Sequence, residues 1–229
     1  MITALLFMLL IKYLASHTIL RRMRRTSLKH LARISVLMIL MVVLATFLLA
    51  QGSTLEYTIK QRGIPIGNLQ FTQSVSAEMT VLRLESHAEP RVVFALTINA
   101  KEESIYNNDI MTFSSICRLF NNKGKLNKKT RLKGDGYEIQ KGDHIEILQL
   151  KPIRFNMLCM YAREPKGISK VYSDILQHFL DIKQIANHHY QIHFPDGTYN
   201  EYFYENGICT RIAVYHTLYT GSIELKPYQ

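Results

Sequence analysis

The 229-residue sequence has no tryptophan, 3 cysteines, 6 prolines and 11 glycines. So little Gly and Pro excludes a collagen-like or low-complexity chain, and 47% hydrophobic against 20% charged residues excludes a disordered one. Cys117, Cys159 and Cys209 stand at wide, irregular spacing, without a zinc or redox motif. In an oxidising compartment one pair can form and leave a thiol over, and buried reduced thiols are the expected state. Acidic residues are missing from the first 50 positions, which hold Lys12, Arg21, Arg22, Arg24, Arg25, Lys29 and Arg33. Those seven charges, out of a formal +10, leave only +3 for the rest of the chain, so no nucleic-acid partner is expected. A Gly-x-Ser-x-Gly elbow, a phosphate loop and a dinucleotide fingerprint are also missing. No enzyme activity, cofactor or metal is therefore expected. A hydrolase built on Asp109, Asp143 or Asp174 is unsupported, because each reads as a turn residue.

What is present starts with an export pattern. Arg24, Arg25, Lys29 and Arg33 precede 17 uncharged residues, Ile34 to Ala50. Positive, apolar, then small is the order of a secretory signal, with cleavage expected after Ala50, although Leu48 sits where a smaller residue is preferred. Seventeen residues also reach the lower limit for a spanning helix, so an uncleaved anchor is the alternative. Upstream, Ile2 to Ile11 is too short to span and ends at Lys12. Met23 opens a more usual signal, so residues 1–22 are expected to be an untranslated extension or else a short membrane segment. The expected organisation is thus 1–22, a hydrophobic helix within 23–50, and a β-rich domain over 51–229, exported to the periplasm or envelope and membrane-anchored if uncleaved.

Past Gln51 the period is two. Leu55, Tyr57 and Ile59 alternate with Glu56, Thr58 and Lys60, and Val92, Phe94, Leu96 and Ile98 share a face. Turn chemistry recurs at Gly63–Asn68, Lys133–Gly136, Lys141–Asp143, Pro195–Gly197 and Glu205–Gly207. The pattern predicts a mainly β fold, a single long curved antiparallel meander of about ten strands forming an open or half barrel, with one or two short helices. Both faces are mixed: Tyr199 and Phe203 lie opposite Tyr202 and Tyr204, and Ile208, Ile212 and Val214 opposite Cys209, Arg211, Ala213 and Tyr215. That suits a concave apolar wall better than an outer-membrane barrel. Pro152 to Ala162 reads as a helix closed by Pro165. Asp174 to Ile185 fits a helix or a turn and hairpin, of which the hairpin is preferred.

Three segments carry a resemblance: Tyr57–Lys60 with Gly63–Leu69, Glu164–Gly167 with Lys170–Ser173, and Pro195–Gly207. In this order the chain from Tyr57 to Pro227 resembles a family of exported Gram-negative β-proteins of unknown function, and more loosely the half-barrel of periplasmic lipoprotein carriers. The resemblance implies a signal peptide and a curved sheet, and it transfers no catalytic residue. Gly63 and Gly67 are expected to permit the first hairpin, with Pro65 stiffening its tip.

Two candidate sites follow. Lys123, Lys125, Lys128, Lys129, Arg131 and Lys133, with no acid among them, form a basic hairpin that fits anionic head groups or simply protects a solvated edge. Glu164, Tyr172 and Ser173 form a polar patch at the sheet's mouth or cap turns. His189 and His193, four apart, read as a solvated hairpin rather than a metal pair. The favoured function is binding of an apolar or lipid-like ligand on the curved sheet, with docking to an envelope protein as the alternative.

Overall fold

The computed structural model describes residues 51–90, 96–216 and 220–227, together with Ser35. The expected signal or anchor, the extension 1–22 and the Val92–Phe94 part of one alternating run lie outside the described residues. Among the described residues no helix is long and apolar enough to cross a membrane.

From residue 51 onward the described residues build one sheet of fourteen antiparallel strands, against the ten or so expected. They are β1 Gln51–Gln61, β2 Ile64–Val75, β3 Met79–Ala88, β4 Ile98–Asn107, β5 Ile110–Phe120, β6 Gly124–Lys133, β7 Gly136–Lys141 and β8 His144–Leu148. After a break follow β9 Lys170–Ser173, β10 His178–Ala186, β11 His189–His193, β12 Tyr199–Glu205, β13 Ile208–Tyr215 and β14 Thr220–Leu225. Two of the turns are made without glycine. Asn108 and Asp109 (φ 47° and 62°) and Asn121 and Asn122 (φ 49° and 57°) take the left-handed conformation that tight hairpins require. The hairpin reading of 174–194 holds, with β10 and β11 joined through Asn187 and His188.

Sequence neighbours pair everywhere except once. β1 pairs with β14, which joins the two ends of the domain, and the sheet's free edges fall mid-chain, at β8 and β9. The sheet curls and does not close. Tyr106 on β4 and Tyr204 on β12, six strands apart, both reach the short segment 156–160. In a flat sheet they would stand about 29 Å apart.

That segment corrects the expected helix. Only Cys159–Ala162 is helical (α1). From Pro152 to Phe155 the backbone bonds to the sheet: the Ile153 carbonyl accepts from Met111 N over 2.8 Å, and the Phe155 carbonyl from Tyr172 N over 2.9 Å. With the Ile153 and Phe155 carbonyls taken by β5 and β9, neither is free for a helical bond.

The first hairpin also differs from expectation. Its turn is Arg62 and Gly63 (φ 50° and 79°), and Pro65 and Gly67 lie within β2. Pro65 opposes Lys60 beside a bulge, before the part of β2 that pairs with β3, so its missing N–H breaks no β2–β3 bond. Gly67 is required for a different reason. A Cβ there would stand 2.1 Å from the His87 carbonyl oxygen.

Candidate functional site

The concave side divides into a filled end and an open end. In the filled end, Tyr161 on α1 packs edge-on against Tyr57 (5.6 Å between ring centres) and stacks on Phe71 (5.7 Å). Tyrosine hydroxyls tie the inner segment to the wall. Tyr137 donates to the Met111 carbonyl (3.0 Å) and accepts from Ile153 N (3.0 Å), and Tyr204 donates to the Met160 carbonyl (2.8 Å). A buried phenol needs such a partner, and these bonds fix where the segment lies.

The open end is a cavity of about 580 Å³, within the range of small-molecule sites. Leu69, Leu84, Ile116, Leu158, Val214 and Ile223 supply apolar wall from both halves of the sheet and from the inner segment. Five of these residues lie on strands, and Leu158 comes from the inner segment. A second groove of about 510 Å³ lies among Glu56, Glu85, Lys101 and Lys226, whose charges already pair as Lys101–Glu85 (3.1 Å) and Lys226–Glu56 (3.0 Å). The first cavity is the candidate site, since it is the apolar one.

Its charged groups, among the described residues, are Glu102, Arg118, Asp174 and Asp196. Arg118 on β5 donates through Nη2 to Glu102 Oε1 on β4 (2.7 Å). Asp174, following β9, accepts from Ser114 Oγ (2.5 Å) and from Asn156 Nδ2 (2.8 Å). The Asn156 amide also donates to Ser104 Oγ (2.7 Å), and its oxygen accepts from Tyr106 (2.8 Å). Burial pushes the Asp174 carboxyl up to about 7, against the opposing pull of its hydrogen bonds, and the carboxylate of Glu102 adds to the rise. Burial likewise raises the Cys159 and Cys209 thiols, the latter to about 12, so they are poor nucleophiles. All three cysteines are free thiols. No histidine lines the cavity, and no three His, Cys, Asp or Glu side chains are grouped to hold a metal among the described residues.

The residues singled out from sequence fall in several places. The pleat splits the basic hairpin. Lys128 turns inward and donates to the Ile175 carbonyl, burial lowering its pKa, while Lys129 is exposed. Lys123 is exposed in the turn, and Lys125 sits in β6 opposite Leu119. Arg131 and Lys133 share Glu138 on β7 at 3.9 and 2.8 Å, and Arg131 also covers the Phe113 ring. Glu164, Tyr172 and Ser173 do not form one patch. Glu164 is buried with His188 Nδ1 (3.0 Å) and the Tyr190 hydroxyl (2.8 Å), Tyr172 packs on Phe179, and Ser173 Oγ accepts from Leu176 N at the cavity wall. His189 and His193 share the outer face, stacked on Phe203 and tilted against Tyr199.

Parity failed on β13. A bulge between Phe203 and Tyr204 brings both Cys209 and Ile212 inside and leaves Ile208 exposed. Arg118, Glu102 and Asn156 were missed altogether. A charge at an inward position of an alternating strand was the one available signal for the first two.

No curated protein matches the chain. Among solved structures it is similar to the crystal structure of a beta-barrel-like protein of domain of unknown function DUF1849 from Brucella abortus, with a TM-score of 0.51 and 11% identity over 79% of this chain and 99% of that one. At that identity the likeness shows the fold alone. The model of the family described as "Domain of unknown function (DUF6134)" matches residues 57–226, and the chain belongs to that family.

Proposed function

We propose that the chain is an exported, non-enzymatic envelope protein that binds an apolar, lipid-like molecule inside its curved sheet. One observation carries this reading: the inner segment fills only part of the concave side and leaves an apolar cavity of about 580 Å³. Burying an acyl chain there is favourable by about 25 cal/mol per Å² of apolar surface. The basic, apolar, small-residue order of 24–50 supports export. The test is native mass spectrometry of the full chain purified from membranes. A bound lipid-like mass, lost when Ala100 at the cavity wall is replaced by Trp, is the expected result. A second reading, a subunit pairing with another envelope protein, has in its favour the free β8 edge with exposed Ile145 and Ile147. A stoichiometric protein partner without lipid would select it.

A further inference from the structure

The candidate cavity continues into a smaller chamber. Ile59, Ile98, Val214 and Ile223 line both the large hollow and one of about 250 Å³ that runs on to Ile66 and Leu96. Among the described residues the charge at the smaller chamber is Lys60, and Glu224 already takes it at 2.5 Å. As lined by the described residues, one end of the combined space is therefore apolar. The other carries Glu102, Arg118, Asp174 and Asp196.

These four differ in what they have left to offer. Asp196 Oδ1 accepts from Thr198 N and Oγ1, Asp174 accepts from Ser114 and Asn156, and Glu102 accepts from Arg118. Arg118 Nε is buried and has no acceptor among the described residues. Of the buried side-chain atoms in that condition, it alone belongs to a residue lining the cavity. A buried donor on a guanidinium is costly to leave unpaired, so an acceptor placed beside it by a ligand in the cavity is favoured.

We infer that the ligand is a single-chain amphiphile with a carboxylate head, a fatty acid in chemical class, whose head binds Arg118 and whose chain runs into the smaller chamber. This rests on the lipid-binding reading above. An amine head brings only donors and leaves Nε unpaired. An alcohol accepts more weakly than a carboxylate, which also fits the planar edge of a guanidinium. A doubly charged phosphate would bring two negative charges, where a carboxylate brings one, to a cavity whose described lining already sets Glu102, Asp174 and Asp196 against the single cation Arg118.

The test is calorimetric titration of the full chain, held in amphipol, with dodecanoate, dodecanol and dodecylamine. Dodecanoate should bind at least tenfold more tightly than the other two. Arg118→Gln should lower dodecanoate affinity to the dodecanol level and leave dodecanol unchanged. Glu102→Gln, which removes the competing negative charge beside Arg118, should tighten dodecanoate several-fold, and this variant decides the matter if Arg118→Gln fails to fold. Equal binding of dodecanoate and dodecanol, tighter dodecylamine, or unchanged or weaker dodecanoate binding in Glu102→Gln would overturn the carboxylate head while leaving the cavity reading standing. Absence of binding by all three would overturn both.

Discussion

Asn156 and Asp174, 18 residues apart in sequence, meet inside the sheet, where Asn156 Nδ2 donates to Asp174 Oδ2 over 2.8 Å. Asn156 belongs to the inner segment and Asp174 follows the edge strand β9, so this contact fastens the segment to the free edge. An amide is suited to it, since it gives hydrogen bonds to Ser104 and Asp174 while taking one from Tyr106. Asn156→Ala would strand the three partners in a dry interior. We expect a loss of about 2–4 kcal/mol in urea unfolding, and a loss under about 1 kcal/mol would show that water replaces the amide.

Asp174 makes stability depend on pH. Its carboxyl is raised to about 7 in the fold from an ordinary 3.8, so the folded state holds the proton more tightly than the unfolded chain. The benefit is complete below about pH 4 and is lost as pH rises through 7, up to about 4 kcal/mol in all. Asp174→Asn keeps both bonds if its oxygen faces Asn156 and its amide donates to Ser114. The urea midpoint of the parent should therefore fall relative to the variant between pH 5 and 8, and parallel curves would refute this.

Gly67→Ala should destabilise by about 2 kcal/mol or more, because the new Cβ meets the His87 carbonyl and Ala88 Cα, both backbone atoms that cannot rotate away. Thermal melting of the pair decides, and an unchanged midpoint would mean that β2 and β3 separate freely there.

Lys128 and Lys129 are neighbours with opposite expected behaviour. Lys128→Met removes the donor to the Ile175 carbonyl at the cavity wall and should cost about 1–2 kcal/mol. Lys129→Gln, on the exposed face, should leave the melting temperature unchanged and weaken any salt-dependent binding to anionic vesicles. Equal effects on melting would contradict the inward placement of Lys128.

The amino-acid sequence by itself determined the strand period, the glycine turns at 63, 134, 142, 197 and 207, and the sequential antiparallel order. These depend on which backbone angles a few neighbouring residues allow and on which side of a strand each side chain leaves. The asparagine turns use the same chemistry and were legible too, once Asn-Asp and Asn-Asn are granted positive φ. What only the tertiary structure decided depends on contacts between distant residues. The β1–β14 pairing sets where the sheet opens, and the bulge on β12–β13 reverses which of Ile208 and Cys209 is inside. Tyr137 and Tyr204 draw the 152–162 stretch into the concave side of the sheet in place of a full helix. Lys128 on β6 and Arg118 on β5 acquired their inward roles the same way, because an alternating pattern names two faces and only the curl of the sheet determines which one encloses the cavity.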